Sequence, residues 1–387
     1  MGNGADLNQL RRINELAVLS TLREAGELRL AEVAERTGLA RASVGEVVRE
    51  LLGRGWLAEH PPVVSGRGRP AHQYAFRADA GKVLGLDIGA HSVRAVVADL
   101  DGTVLGSARR ATTPELSRRR RLTAIDKAIQ QCLHEAGASP TEVWGAVAGS
   151  TGTVHENGQV VLSAAIADWA GVDLVAFLRE RLPQGVIAAQ NDSRLCALAE
   201  HRRGAGRGAG DLVVLQAGRR TGLGLMVGGR QLRGFNSCAG DLSLLRTLHW
   251  EEAIGHLQHS GAAPATGATA DPVADTLNAA TEGVRKGLDA AKRYARDMAA
   301  AAGTVCAIID PEVLVLSGSL ADHGELLAPM LQAEISAYTR HPPQVRVSPL
   351  AGDSPVLGAV TLAADNVEAA LLNAGSGPLG RLECPAV

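Results

Sequence analysis

The sequence of 387 residues is poor in aromatic side chains, since Phe, Trp and Tyr make up only 3% of it. Hydrophobic residues nevertheless make up 46%, so Ala, Val, Leu and Gly must fill a sizeable core. A charge excess is also lacking, because the formal net charge is −2. Any surface that binds nucleic acid must therefore be a local basic patch. The length allows two or three domains.

Cysteines are few, and the five at positions 132, 196, 238, 306 and 384 form no C-x-x-C pair. This spacing disfavours a zinc ribbon or a redox motif, and dispersed thiols fit the reducing cytoplasm. The N-terminus is polar and lacks the apolar core of a signal peptide. No run approaches the roughly 20 apolar residues that cross a membrane. We therefore expect a cytoplasmic protein with no membrane partner.

The first part of the chain shows the pattern of a winged helix-turn-helix. Apolar residues recur at helical spacing in three segments, the last at residues 41–54, and Gly38 interrupts the series before it. Short apolar strands follow at residues 56–58 and 73–76, on either side of a loop rich in Gly, Arg and Pro. A generic three-helix bundle would explain the helices alone. The β-hairpin explains the whole segment, so we predict a DNA-binding domain over residues 1–80.

Five residues of this domain are predicted to contact double-stranded DNA. The third helix of such domains enters the major groove with its N-terminal part first, which gives contacts to Arg41, Ser43 and Arg49. Arg67 and Arg69 flank a glycine in the wing loop and fit a narrow minor groove. From position 41 to position 77, six arginines outnumber three glutamates, a local charge of +3. Binding should therefore weaken as salt increases.

The body of the chain opens with a β-run at residues 83–89 that ends in Asp-x-Gly, a second strand at 93–99 and an Asp-Gly turn. A strand and Gly-rich turn at 144–152, an Asn-Asp helix at 191–200 and a strand at 310–319 follow. Together these motifs resemble the ROK family of repressors, open reading frames and kinases. The resemblance covers nearly the whole chain, because a winged helix-turn-helix joined to this body is typical of the repressor branch.

The resemblance implies an α/β protein in which the winged helix-turn-helix precedes a two-lobed actin-like ATPase (ribonuclease H-like) fold. We place the first lobe at residues 81–190 and the second lobe at residues 191–354. A C-terminal helix at residues 355–372 is expected to pack back on the first lobe. The Gly/Pro-rich tail at residues 373–387 is expected to be flexible.

Three turns that bind nucleotide in the family's kinases are altered in this sequence. Asp-Ile-Gly-Gly-Thr becomes Asp-Ile-Gly-Ala-His at residues 87–91, and Gly-Thr-Gly becomes Gly-Arg-Arg at residues 218–220. The adenosine-side Gly-Gly-Gly becomes Ser-Gly-Ser at residues 317–319. The added side chains crowd the phosphate turns, although the arginines could still attract an anion. We therefore predict that this domain is not an enzyme and uses no cofactor.

The residues that hold sugar and zinc in the family are also replaced. The Asn of the sugar loop corresponds to Ala165, the sugar-binding Glu to the shorter Asp241, and the zinc-binding His to Leu244. Zinc favours four Cys or His ligands in a settled geometry. His256 and His259 are instead expected to mark one solvated helix face. The sequence therefore predicts no metal site.

Asn191 and Asp192 are retained. By resemblance Asp192 corresponds to the general base of the kinases, which takes the proton from the attacking sugar hydroxyl, and here it would be vestigial. Two interpretations stay open. Asp192 caps its own helix, or it anchors a ligand while Asn191 orients it. Asp241 is the third candidate for ligand binding.

These features predict a DNA-binding transcriptional regulator, a repressor, that uses an inactive ROK domain for oligomerisation and for sensing any effector that the cleft still binds. A homodimer or a dimer of dimers would match a palindromic operator. The effector would be a small molecule, either a sugar or another compound. Two alternatives stay open: an ATP-dependent sugar kinase with a regulatory DNA-binding domain, and a co-regulator whose partner is another protein.

Overall fold

The structure, a computed structural model, describes residues 3–61, 72–242, 250–265, 267, 269, 271–373 and 379–385. The wing arginines Arg67 and Arg69 lie outside the described residues, as does Leu244. The contacts of Arg67 and Arg69 with DNA therefore stay predictions.

The described part of the N-terminal domain combines helices with a small antiparallel sheet. Its elements are α1 (Asn3–Ala25), β1 (Leu28–Arg29), α2 (Leu30–Thr37), α3 (Arg41–Gly53), β2 (Leu57–His60) and β3 (Gln73–Phe76). The strands pair in the order β1-β3-β2. Val33, Val44, Leu51 and Trp56 are buried in one core. Gly38 ends α2 with a φ of 70°, which glycine adopts without strain.

The first lobe is built on a sheet whose strands run in the order β10-β7-β4-β5-β6. Its elements are β4 (Lys82–Ile88), β5 (Ser92–Asp99), β6 (Val104–Ala111), α4 (Arg118–Glu135), β7 (Val143–Ser150), β8 (Thr153–Val154), β9 (Val160–Leu162), α5 (Leu174–Arg179) and β10 (Val186–Asn191). Every residue of β7 is buried, as expected for a central strand covered on both faces. The hairpin of β8 and β9 follows β7 directly at the edge of the cleft.

The second lobe has a sheet of order β13-β12-β11-β14-β15. Its elements are α6 (Asp192–Arg203), β11 (Leu212–Gln216), β12 (Gly222–Val227), β13 (Arg230–Gln231), α7 (Trp250–Gln258), α8 (Pro272–Thr281), α9 (Arg285–Ile309), β14 (Val313–Ser317), α10 (Gly324–Ile335), β15 (Gln344–Val347) and α11 (Ser354–Asn373). Numbered within each lobe, the strands of both sheets have the order 3-2-1-4-5. The chain thus repeats one sheet topology in its two lobes.

Helix α11 follows the second lobe in sequence but packs on the sheet of the first lobe. Val356, Val360 and Val367 share a buried cluster with residues of β4, β5 and β7. Glycine permits the closest approaches, because a Cβ at Gly85 would lie 2.6 Å from the Val356 carbonyl oxygen. A Cβ at Gly358 would lie 1.9 Å from the carbonyl oxygen of Leu195 in α6. Helix α11 therefore contacts both lobes.

The same helix corrects one expectation from the sequence. By length and composition, Ala351–Leu372 is long and apolar enough to cross a membrane, with a mean hydropathy of 1.3. Half of that window is buried inside the protein, against the strands just described. Its apolar composition is explained by this packing, because a helix between two layers needs apolar residues on several sides.

Glu200, in α6, is a fully buried carboxylate at the junction of the two lobes. Its Oε1 accepts hydrogen bonds from the hydroxyls of Ser317 at 2.9 Å, Ser354 at 2.6 Å and Ser348. Its Oε2 accepts one from the Ala205 N–H at 3.1 Å. A buried carboxylate is costly unless donors surround it. These bonds therefore fix the end of β14 and the start of α11 relative to α6.

The tail predicted to be flexible at residues 373–387 is ordered where the structure describes it. Within this C-terminal segment, residues 379–385, Leu379 is 2% exposed and lies in the core of the N-terminal domain. Its N–H donates to the buried Glu15 carboxylate at 2.7 Å, and its carbonyl accepts from Arg54 at 2.7 Å. The Gly/Pro content suggested fraying, but these hydrogen bonds and the burial of Leu379 outweigh it.

The C-terminal segment also contacts the first lobe. The indole N–H of Trp56 donates to the Gly380 carbonyl at 2.8 Å, which continues the attachment to the N-terminal domain. Four residues later in the segment, the Cys384 thiol donates to the Gln184 carbonyl of the first lobe at 3.2 Å. The segment thus connects the N-terminal domain with the body of the chain.

Candidate functional site

Helix α3 presents a polar face to solvent. Arg41 and Arg49 are exposed and Ser43 is half-buried, whereas Val44 and Leu51 pack into the core. The apolar spacing determines this orientation, because burying the valine and leucine face turns the other face outward. The three residues predicted for the major groove are thus available to a partner on the outer side of the domain.

Gly45 lies on the same outer face of α3, and its lack of a side chain leaves open space there. A Cβ built on Gly45 meets nothing within 4 Å. Glycine inside a helix costs about 1 kcal/mol relative to alanine. No contact in the fold explains this cost, because a methyl group would fit. The absence of a side chain is instead useful where another molecule must approach the helix backbone closely.

Asn191 and Asp192 have different roles in the structure. Asn191 caps α6, because its Oδ1 accepts from the Arg194 N–H at 3.1 Å. The Asp192 carboxylate accepts from the Thr151 hydroxyl at 2.9 Å, the Ser193 N–H at 2.9 Å and the Asn191 amide at 3.1 Å. Helix capping therefore belongs to Asn191. Asp192 is held in a fixed orientation between the first lobe and α6.

Asp87, which was not predicted as a site residue from the sequence, interacts electrostatically with this carboxylate. It lies near the end of β4 and is half-buried. Burial and the charge of Asp192 raise the pKa of Asp87 to about 7. Burial also raises the pKa of Asp192. The only signal in the sequence was the Asp-x-Gly turn, and spacing alone does not reveal that the charges of the two carboxylates interact.

The replaced residues of the nucleotide turns have partners within the protein. Ser317 is fully buried and donates to Glu200, so its hydroxyl faces inward. Arg219 forms an ion pair with Asp271 at 3.3 Å. A Cβ at Gly218 would lie 3.0 Å from the Ser319 hydroxyl. Two of these turns are thus tied into the second lobe.

Two arginines of the second lobe reach across the cleft. Arg220 donates to the Ala164 carbonyl of the first lobe at 3.3 Å. Arg233 forms an ion pair with Glu156, between β8 and β9. Both arginines are at least partly exposed, so each contact contributes little by itself. Together they hold the two sides of the cleft in contact.

Asp241 and the histidines lie further along the second lobe. Asp241 is exposed on a turn in which its N–H donates to the Cys238 carbonyl. His256 is half-buried and hydrogen-bonds Asp297 at 2.9 Å, while His259 Nδ1 bonds the Gly255 carbonyl. The two histidines therefore do not form the single solvated face that was expected. Within the described ranges, no group of three or more His, Cys, Asp or Glu side chains could hold a metal.

Two family models match the sequence. The ROK family model matches residues 83–244 and 262–366, and the IclR helix-turn-helix domain model matches residues 15–61. The ROK matches cover more than half of the chain, so the chain belongs to the ROK family. The predicted order, a helix-turn-helix followed by a sugar-kinase-like actin fold, is thereby confirmed.

Curated relatives include named regulators of bacterial genes. The DNA-binding transcriptional dual regulator NagC of Escherichia coli K12 is 26% identical over 263 residues, which cover 66% of this chain and 62% of NagC. The xylose repressor of Bacillus subtilis 168 is 21% identical over 241 residues, which cover 62% of this chain and 61% of the repressor. The matches thus span less than two thirds of the length of these relatives.

Solved structures of two kinds share the fold. A ROK family glucokinase from Streptomyces griseus, in complex with glucose and AMPPNP, has a TM-score of 0.62 and 23% identity, and covers 74% of this chain and 100% of the glucokinase. A ROK family transcriptional regulator, a homolog of the E. coli MLC protein, has a TM-score of 0.70 and 19% identity. The match covers 92% of this chain and 97% of the regulator. At these identities the likeness shows the fold.

The raised pKa of Asp87 predicts a pH-dependent stability. The folded chain holds a proton on Asp87 that the unfolded chain loses above about pH 4, so stability falls as pH rises from about 4 to about 7. Asp87→Asn stays neutral, so at pH 8 its free energy of unfolding should exceed that of wild type by up to about 4 kcal/mol, with a higher melting temperature. At pH 4 the two should unfold together.

Calorimetry at pH 4 and pH 8 measures this difference. Asp79→Asn is the matched control, because it makes the same substitution at a side chain that is 81% exposed. A stability gain of Asp87→Asn that does not change with pH would show that the Asp87 carboxyl is ionised throughout.

Proposed function

We propose that the chain is a DNA-binding transcriptional repressor whose ROK body does not transfer phosphate. The observation that supports this most directly is the exposed pair Arg41 and Arg49 on α3. The helix belongs to a helix-turn-helix joined to a body in which the nucleotide turns are altered. Ser317 and Arg220 bond other parts of the protein there. The names of the xylose repressors and of NagC agree with this proposal.

The proposed partners are a double-stranded operator, a second copy of the chain and a small-molecule effector. A dimer with two-fold symmetry would read a palindrome, with half-sites about one helical turn apart. The effector would bind in the cleft that contains Asn191 and Asp192, with Asp241 as a further candidate contact. This role places the chain in the cytoplasm with the chromosome.

Arg41→Ala and Arg49→Ala are expected to weaken binding to duplex DNA. One lost base or phosphate contact of arginine costs about 1–3 kcal/mol, which is about 5- to 150-fold in affinity. Wild-type affinity should itself fall at least about tenfold between roughly 50 and 200 mM salt, because bound arginines release counterions. Fluorescence anisotropy with duplexes from upstream of the gene measures both effects.

Arg207→Ala is the matched control for these variants. Arg207 is exposed in the second lobe, so its substitution removes the same charge far from α3. DNA affinity that does not depend on salt, or that falls equally in all three variants, would contradict the assignment of α3 to the major groove.

Gly45→Ala is expected to stabilise the protein and yet weaken DNA binding. The new methyl group fits within the fold and should raise the free energy of unfolding by about 0.5–1 kcal/mol. In the complex with DNA, the same methyl group would separate the helix backbone from the major groove. Gly53→Ala is the control, since Gly53 is exposed at the other end of α3 and equally open. It should add stability without a loss of affinity, and equal affinities for both variants would contradict close approach at Gly45.

A sugar kinase with a regulatory DNA-binding domain is the second candidate, because Thr151 and Asn191 still orient the Asp192 carboxylate. We expect no ADP release above background when the chain is mixed with MgATP and a panel of neutral hexoses in a coupled assay. The physical reason for this expected lack of turnover is that added side chains crowd the phosphate turns. Turnover that disappears in Asp192→Asn would establish the kinase instead.

A further inference from the structure

Arg194 is a buried cation with few partners. Its residue exposure is 2%, and its Nη2 donates to the Val154 carbonyl at a long 3.4 Å. Its Nε and Nη1 have no hydrogen-bond partner, and among the described residues no carboxylate forms an ion pair with it, although the charge of Asp192 acts on it. Burial lowers the pKa of Arg194 to about 10, so the group remains charged at neutral pH. An unpaired buried charge is costly and indicates that a partner is missing.

The position of Arg194 is the cleft between the lobes. It lies in the first turn of α6, directly after Asp192 and Ser193. Val154, its acceptor, belongs to the first lobe. Gln231 of the second lobe donates to the Arg194 carbonyl at 2.7 Å. The guanidinium, whose acceptor is the Val154 carbonyl, therefore lies between α6 and β8 of the first lobe.

A second buried polar group without a partner lies nearby. The Ser163 hydroxyl is buried and forms no hydrogen bond. A Cβ at Gly152 would lie 2.9 Å from the Ser163 Cα, and the Asn191 amide donates to the Gly152 carbonyl at 2.9 Å. Ser163 thus borders the turn that Asn191 contacts. Arg194 and Ser163 thus both lie beside residues 152–154 of the first lobe, and each has a buried polar atom without a hydrogen-bond partner.

We infer that the cleft binds a small polyhydroxylated acid, a sugar acid, whose carboxylate pairs with Arg194. A single guanidinium matches one negative charge and can bind a carboxylate through two parallel hydrogen bonds. Asp192 and Ser163 are suited to hydroxyl groups, as an acceptor and as a donor. The charge of Asp192 beside Arg194 disfavours a doubly charged phosphate. This inference rests on the proposed effector site and specifies the chemical class of its ligand.

Isothermal titration of the full chain tests this assignment. The ligands are glucuronate, galacturonate and gluconate, with glucose and glucose 6-phosphate as the neutral and phosphorylated comparisons. At least one acid should bind, about tenfold or more tighter than glucose, which is the range of a charged hydrogen bond. Absence of binding by all three acids, or tighter binding of the phosphate ester, would overturn the inference.

Substitutions separate recognition from a structural role. Arg194→Met should reduce affinity for the acid at least about tenfold, and Arg194→Lys should restore part of it. Without ligand, Arg194→Met should melt at the same temperature as wild type or higher, because it removes an unpaired buried charge. Arg202→Met is the control on the same helix, since Arg202 is exposed and pairs with Asp365, and it should leave acid binding unchanged. A lower melting temperature of Arg194→Met would assign the arginine to structure alone.

The same samples distinguish failure of this inference from failure of the proposed function. DNA binding by wild type and by the Arg202→Met control, measured without any acid, should be equal. If both bind DNA and no acid binds, the ligand class is wrong and the repressor proposal stands. If an acid binds through Arg194 and neither protein binds DNA, the ligand class stands and the repressor proposal fails.

Discussion

The hydrogen bond from Ser354 to the buried Glu200 carboxylate fixes the start of helix α11, and the arrangement of the three parts of the chain depends on that helix. Ser317 and Ser348 donate to the same oxygen, so Glu200 joins β14, the segment after β15 and α11. Removing any donor would leave a buried carboxylate less compensated. The serine of the altered adenosine-side turn is therefore part of the framework of the body.

A continuous series of contacts leads from Asp192 to the N-terminal domain. Helix α6 has Asp192 at its first turn and Glu200 at its last, and α11 packs on it where Gly358 meets Leu195. Near its far end, Glu368 of α11 forms an ion pair with Arg23 of α1. The C-terminal segment then adds hydrogen bonds to the N-terminal domain. A ligand that shifts α6 would act on the DNA-binding domain through these rigid elements.

Residue spacing in the sequence predicted the structural features that depend on local sequence pattern. The apolar periodicity of α1 to α3 and the strand and turn motifs predicted the fold, and the Asn-Asp motif predicted the start of α6. The contacts that the sequence could not give are distant or depend on burial. Ser317 and Glu200 are 117 positions apart, and Leu379 contacts Glu15 at the opposite end of the chain. The isolation of Arg194 follows from tertiary packing, and its neighbours along the chain give no sign of it.

Selection of binding sites from a random library of duplex DNA by the purified full chain tests the central claim most directly. An inverted repeat whose half-sites lie about one helical turn apart should be enriched. The enrichment should be lost at high salt. A library that remains unenriched after repeated rounds at low salt would contradict the claim that this ROK protein recognises DNA.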